Sequence, residues 1–500
     1  MMTVEALGAD DAGGYYLEVV VSGVEDYYLV AGEAPGRWLG TAAPLLGMSG
    51  EVRREDLEQL LGGLDPRNGT RIATWLTNSA YDLTLSAPKS ISLLWALGDP
   101  KVSAAVRKAH DEAVDAAMSY MGAHACVVRR GHEGRQRLAG KGFVAAAFRH
   151  RTSREGDPQL HTHVVVANLT LGPDGEWSSL FGRALWSNAR AAGCVYQAVL
   201  RRLLGERLGV QFGPVMKGCA DVVGIDAATR RAFSRRRVAI EQAMAEHGGR
   251  SRRAAQVATL ATRPAKPAPV GEDELRAGWS ARAAEVGLDV TIAFGAVGPV
   301  LPSAATDAEL AAVLTEQHAA FDRRRVVEAV ASSSREGMLL GEIEDRVDRF
   351  LRGPEAVALA TGRWSTPEML ATEAEVLRLA PGTVVEYPGP AAVDSALSCR
   401  PSLSTEQAAA VRRICGGERV SLVVGRAGAG KTFALDAARG AWQAAGHDVV
   451  GCSLSARAAR QMESSAGFAS DTADRLLGDL DAGRRRLSSR SVVVQRQAGG

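Results

Sequence analysis

The sequence predicts an α/β (α+β) protein: an antiparallel sheet flanked by helices, then a helical connector, then a partial α/β domain. Three observations carry that expectation. Over residues 1–301 short β-like runs alternate with helical stretches. Two of those runs, 142–150 and 161–169, are joined by a segment short enough to make them antiparallel neighbours. Further on, an apolar run at 420–424 leads straight into a Gly-rich loop and a helix. A chain of 500 residues holds about three domains, drawn here at 1–301, 302–395 and 396–500.

Taken in order, residues 81–86 alternate with period two, Pro88 ends the strand, and Ser90 is placed to cap a helix through Leu97 that resumes after Pro100 as 102–121. Residues 125–128 read as a strand, 129–137 as a basic turn, and 142–150 with 161–169 as paired strands, giving a sheet with helices on one side. Residues 229–266 hold ten basic side chains (Arg230, Arg231, Arg235, Arg236, Arg237, Arg250, Arg252, Arg253, Arg263, Lys266) against Glu241 and Glu246. That local excess suits a phosphate backbone; the bland alternative is a solvated helical face. From 304 to 379 the pattern is helical with mixed charge, and Pro381, Pro388 and Pro390 mark a boundary before an α/β segment that starts near Ser402.

Composition bounds the function. Lys plus Arg number 59 against 57 Asp plus Glu, so nucleic-acid affinity has to come from local clusters. Six scattered cysteines without a CxxC pair argue against a zinc cage and against a secreted disulfide framework. The first thirty residues contain no Lys or Arg, unlike a signal peptide, and no apolar run approaches the ~20 residues that cross a bilayer. The expectation is a cytoplasmic protein without membrane insertion.

His161 and His163 sit two apart on one strand, so both imidazoles leave the same face, and the neighbouring strand ends in His150. Three imidazoles without a fourth protein ligand describe an open, catalytic metal site. Arg154, in the connection, is placed to pair with a phosphate. Four of the eight tyrosines fall together near the start, as Tyr15-Tyr16 and Tyr27-Tyr28. They pack a strand and helix face, or they serve as nucleophiles. A phenolate that attacks a phosphodiester forms a phosphotyrosine whose leaving group, with a pKa of about 10, permits the reverse attack. Asp82 is a candidate for helping to remove the phenol proton.

The segments Tyr81-Asp82-Leu83-Thr84-Leu85-Ser86-Ala87-Pro88-Lys89-Ser90 and His150-Arg151-Thr152-Ser153-Arg154-Glu155-Gly156-Asp157-Pro158-Gln159-Leu160-His161-Thr162-His163 resemble the signature stretches of conjugative relaxases of the TraI/TrwC type. The resemblance covers about residues 1–300 and implies an HUH relaxase fold. It implies that His150, His161 and His163 hold a divalent metal, with Asp82 beside the site and Arg154 on a phosphate. It implies Tyr15 and Tyr27 as nucleophiles, with Tyr16 and Tyr28 as their neighbours. The implied reaction is nicking of single-stranded origin-of-transfer DNA by Tyr15, with the 5′ end kept covalently and a 3′-OH released; Tyr27 would serve a second transfer. The ion is left open: Mg or Mn suits phosphoryl transfer, and Zn or Ni suits imidazoles. Implied partners are the DNA, a conjugative coupling protein and accessory DNA-binding proteins.

Gly425-Arg426-Ala427-Gly428-Ala429-Gly430-Lys431-Thr432, after an apolar strand and before a helix, is a Walker A motif in its required setting. Gly425, Gly428 and Gly430 let backbone N–H groups close on phosphates, Lys431 reaches the β- and γ-phosphates of ATP, and Thr432 ligates Mg. Gln407 resembles the adenine-reading glutamine of superfamily 1 helicases, and residues 451–459 resemble their motif Ia. Hydrolysis also needs a carboxylate at the end of a second apolar strand. Residues 492–494 are that strand by position, and Gln495-Arg496-Gln497 follow. The last hundred residues are therefore read as a helicase domain truncated before Walker B, expected to bind nucleotide weakly and neither to hydrolyse ATP efficiently nor to unwind duplex. Rival readings are a rolling-circle replication initiator, a nucleotide-dependent single-stranded DNA translocase and an inactive DNA-binding relic.

Overall fold

A computed structural model describes residues 2–8, 35–73, 77–246, 262, 271–294, 305–426 and 428–496. Tyr15, Tyr16, Tyr27 and Tyr28 lie outside the described residues, as do Arg250, Arg252, Arg253, Arg263 and Lys266. The chain divides into two compact units, Met1–Pro367 and Glu368–Gly500.

The first unit begins with β1 (Met2–Gly8), β2 (Arg37–Leu39), helix α1 (Arg54–Leu61), β3 (Asn78–Ser86), α2 (Lys89–Leu97) and α3 (Pro100–Ala125). A ribbon, β4 (Val127–Arg130) with β5 (Gln136–Ala139), precedes β6 (Ala145–Thr152) and β7 (Pro158–Ala167), and after the short ribbon β8 (Thr170–Leu171) with β9 (Trp177–Ser178) comes α4 (Arg183–Leu208). Five strands form one antiparallel sheet in the order β1-β3-β7-β6-β2.

Alternation along the strands sorts the sheet into two faces. Tyr81, Leu83, Leu85, Ala145, Ala147, Leu160, Val164 and Val166 point into the main core, against α3 and α4. Helix α3 forms there because Asp99 caps it, accepting from the Val102 N–H, Pro100 occupies its first turn, and Val106, Ala109, Ala113, Val114, Ala117 and Met121 make one apolar stripe. On the opposite face Ala80, Ala146, Phe148, Val165 and Ala167 pack under α1 and the turn Ala43–Leu46. Helices thus cover the whole of one face and part of the other, rather than one side alone. On the stretch of the second face that no described helix covers lie His150, His161 and His163, with Asp82 buried behind them.

Two local expectations are corrected. Pro88, not Ser90, occupies the cap position of α2, because the Ser90 hydroxyl is buried and donates to Asp221 Oδ1 (2.7 Å) while accepting from the Val222 N–H (3.0 Å). Ala125 closes α3 rather than opening a strand, and pairing begins at Val127.

Among the described residues the rest of the unit is mainly helical: α5 (Ala227–Ala232), α6 (Arg235–Glu246), α7 (Glu272–Glu285), α8 (Asp307–Thr315), α9 (Arg323–Ser333) and α10 (Leu340–Arg352), followed by the ribbon β10 (Val357–Ala358) with β11 (Trp364–Ser365). Leu310, Val326, Val330, Ile343, Val347 and Phe350 belong to the same core as α3 and α4. Buried Arg201 of α4 locks this contact by donating to the carbonyls of Gly218, Ala331, Ser334 and Arg335.

The second unit holds α11 (Pro367–Leu379) from Glu368 onward, α12 (Pro390–Ser398), α13 (Thr405–Ile414) and α14 (Lys431–Ala444). A three-stranded parallel sheet follows, ordered β13 (Ser470–Thr472), β12 (Asp448–Ser453), β14 (Ser491–Arg496), with α15 (Ala456–Ala466) and α16 (Ala473–Asp481) between its strands. The expected strand at 420–424 is not formed: the segment is irregular, with Leu422 88% and Val424 96% exposed. Its apolar composition satisfies the local rule for a strand, but it has no pairing partner among the described residues.

Candidate active site on the sheet

The hairpin brings the histidines together. His150 of β6 stands directly opposite His161 of β7, and His163 stands opposite Phe148 on β6 and Thr84 on β3. The three imidazole centroids are 5.1, 5.1 and 5.4 Å apart. His163 Nδ1 is hydrogen-bonded to Asp82 Oδ2 (2.7 Å). His161 Nδ1 is hydrogen-bonded to the carbonyl oxygen of Gln159 (2.8 Å). Each anchor occupies one ring nitrogen and leaves Nε2 for the site, which is how metal-ligating histidines are usually held.

Burial, more than the neighbouring His163, pushes the His161 imidazolium down to about 4, so the ring is neutral and its lone pair is available near neutral pH. Among the described residues no group of three His, Cys, Asp or Glu side chains has the geometry of a preformed metal site. The donor set and its outer hydrogen bonds nevertheless fit a three-imidazole centre, because the rings share one face and two of them are oriented from behind. Asp82 is only 4% exposed, and the same oxygen that bonds His163 lies 3.4 Å from the Thr84 hydroxyl. Its position is that of an anchor for the ring.

Arg154 lies in the turn between β6 and β7, partly exposed, and makes no hydrogen bond or ion pair with any described residue. Sequence reasoning missed Lys89, whose ammonium donates to the Pro158 carbonyl (2.6 Å) at the start of β7 and which burial pushes down to about 8. A lysine just after a strand carries no local signal of burial. Of the basic cluster, Arg231 and Arg237 share Glu241, Arg230 pairs with Asp221, and Arg235 reaches Asp157.

In the second unit the loop around Gly425–Thr432 has Gly428 and Gly430 at φ +80° and +71°, a conformation that favours glycine. Lys431 begins α14 and donates to the carbonyl of Arg426 (2.9 Å) as well as to that of Gly425 (2.5 Å). Gln407 donates to the Ala429 carbonyl (3.1 Å) while its oxygen accepts from the Ser404 N–H (2.9 Å), so it also closes the capping box of α13. Thr432 is partly exposed in the first turn of α14.

Comparison with known proteins places the sheet and the phosphate-binding loop in matched segments. The TrwC relaxase family model matches residues 9–286, and an AAA domain model matches 402–495. The multifunctional conjugation protein TraI of Escherichia coli is 36% identical over 298 residues, 56% of this chain and 16% of TraI. The conjugal transfer protein TraA of Rhizobium radiobacter is 32% identical over 204 residues, 37% of this chain and 18% of TraA. The chain thus matches less than a fifth of the length of these relatives. Solved structures of the conjugative relaxase TrwC in complex with oriT DNA, one metal-free and one metal-bound, align with TM-scores of 0.51 at 33% and 34% identity. Each covers 58% of this chain and 100% of the solved chain. A family match across more than half of the chain, centred on the sheet that gathers His150, His161 and His163, means that this chain belongs to the TrwC relaxase family.

Proposed function

We propose that the chain is a conjugative relaxase that nicks and rejoins single-stranded DNA at an origin of transfer through a covalent 5′-phosphotyrosine. The observation that carries the reading is the trio His150, His161 and His163 gathered on one face of the sheet, with Asp82 and the Gln159 carbonyl behind two of the rings. TrwC structures solved with oriT DNA, and with metal, support the same reading. In it, the trio holds a divalent cation, which when bound supplies positive charge to the non-bridging oxygens of the scissile phosphate. Asp82 fixes the His163 ring, and Arg154 offers a bidentate guanidinium to a phosphate oxygen. The Tyr15 hydroxyl gives its proton to water, its oxygen forms the new bond to phosphorus, the bond from phosphorus to the 3′ oxygen breaks, and that oxygen takes a proton from water and leaves as a 3′-hydroxyl. Tyr27 takes a second transfer. The phosphate-binding loop, Gly425 to Thr432, takes ATP or a related nucleotide. A coupling protein and accessory DNA-binding proteins complete the transfer machinery, in the cytoplasm.

The test is incubation with end-labelled single-stranded oligonucleotides tiled across the adjoining origin of transfer, with Mg or Mn, followed by denaturing electrophoresis. A covalent protein–DNA band, absent in Tyr15→Phe and in His161→Ala, is expected. Cleavage without that band would mean a hydrolytic nuclease.

A further inference from the structure

The turn between the two histidine-bearing strands is held by parts of the chain far from it in sequence. Asp157 is fully buried. One of its carboxylate oxygens, Oδ2, accepts from the backbone N–H of Arg235 (2.7 Å), the first residue of α6. The other accepts from Arg235 Nε (2.9 Å) and Arg282 Nη2 (2.8 Å). The Gly156 carbonyl accepts from Trp279 Nε1 (2.9 Å) on α7, and the Pro158 carbonyl accepts from Lys89 (2.6 Å). Within the turn the Ser153 N–H donates to the Asp157 carbonyl and the Gly156 N–H to the Ser153 carbonyl, with Gly156 at φ +71°. The Arg282 guanidinium also lies over the Phe233 ring, 4.2 Å from its centroid.

Five donors from α2, α6 and α7 therefore converge on residues 156–158, while the Arg154 side chain, in the same turn, takes none of the described groups as partner. A buried carboxylate desolvated at this cost is tolerated because it is fully paired. Its negative charge also faces the N-terminus of α6, where the helix dipole favours it. The arrangement holds the backbone of residues 153–158 and leaves the side chains of Arg154 and Glu155, of which only Arg154 suits a phosphate, without a partner among the described residues.

We propose that Asp157, tied to Arg235 and Arg282 and seconded by Trp279 on the adjoining Gly156 carbonyl, is a positioning residue for strand cleavage, fixing the 153–158 turn so that it presents Arg154 to a phosphate of the DNA. This rests on the relaxase reading above. His163 and His161 have their own anchors, Asp82 and the Gln159 carbonyl, so Asp157 governs Arg154 rather than those two rings.

A double-mutant cycle tests it in the full-length chain, with the oligonucleotide that the wild type cleaves from the tiled set, under single-turnover conditions with Mn. Asp157→Asn is expected to slow adduct formation roughly 10- to 100-fold, the usual cost of losing a group that orients a functional one. In an Arg154→Ala background the same substitution is expected to cost less than about threefold, because the two residues act as a unit. The Mn dissociation constant, measured without DNA, is expected to stay within about twofold. Multiplicative, independent losses in the cycle, or a fall in Mn affinity that parallels the loss of rate, would overturn the proposal. If Asp157→Asn does not fold, Trp279→Phe replaces it, removing one donor while leaving the carboxylate paired, with the same pattern expected at a smaller amplitude. A wild-type chain that forms no adduct with any oligonucleotide overturns the relaxase reading and this proposal with it; an active wild type with independent losses overturns this proposal alone.

Discussion

His110 shows how single side chains set the behaviour of this site. It is wholly buried in α3, its Nδ1 hydrogen-bonded to the Tyr196 hydroxyl (2.7 Å) and its Nε2 to the Thr162 hydroxyl (2.7 Å), between the two site histidines of β7. Burial, ahead of the nearby Arg149, pushes its imidazolium well below the ordinary value, and burial does the same to His161. A histidine that titrates lower in the folded than in the unfolded chain leaves the unfolded state holding more protons between the two values, so stability rises with pH across that window. Without metal, the stabilisation is complete above about pH 6.5, the unfolded value. It falls as the pH drops from there toward about 4, where His161 titrates. Chemical denaturation in EDTA at pH 7, 6 and 5 is expected to show the fall, and His110→Gln to flatten it by one proton while lowering stability at pH 7 by about 1–3 kcal/mol. A flat profile would mean that these rings are not buried in the neutral form. The trio was legible in the sequence because strand alternation and a short hairpin are local rules, and they put His161 and His163 on one face opposite His150. Neither Gln159, which acts through its carbonyl, nor Lys89 has a side-chain pattern that marks it.

At the scale of elements, the same helix that carries His110 is bolted to the sheet by Asp115 to Arg37 of β2 (2.5 Å) and by Asp111 to Arg149 of β6. Strands and helices around 81–169 were readable to within a few residues, since each is decided by its own alternation, prolines and caps. The unformed strand at 420–424 shows the limit of that reading, because a strand needs a neighbour as well as a composition. Arg201 was invisible for a related reason: its partners are carbonyls from 17 to 134 residues away. Removing it leaves four carbonyls without their donor, those of Gly218, Ala331 and Ser334 in buried surroundings. Arg201→Met is therefore expected to destabilise the first unit by about 3 kcal/mol or more, read as a lower denaturation midpoint with unchanged slope. A change below about 0.5 kcal/mol would show that water replaces the guanidinium.

For the molecule as a whole, the question is where the unit that carries the histidines ends. The sequence pattern drew a boundary at 301 from composition, and composition does not reveal which core a helix joins. The compact unit runs to Pro367 because α8, α9 and α10 place Leu310, Val326, Val330, Ile343, Val347 and Phe350 in the core shared with α3 and α4. Two polar ties reinforce that packing: Arg201 to the carbonyls of Ala331, Ser334 and Arg335, and His124 of α3 to Glu344 of α10 (2.9 Å). A chain ending after Pro367 keeps all of these contacts. One ending at 301 loses the six apolar side chains and uncovers Arg201. Each buried apolar side chain is worth roughly 1.5–3 kcal/mol, offset by the entropy released when three helices no longer need ordering. The shorter chain is thus expected to melt several degrees below the longer one, while the longer one matches the full chain in its first transition. Calorimetry of the three lengths decides it. Equal melting temperatures for the two shorter chains would show that helices α8 to α10 lean on a core already complete without them, and that the unit bearing the histidines ends near residue 301 after all.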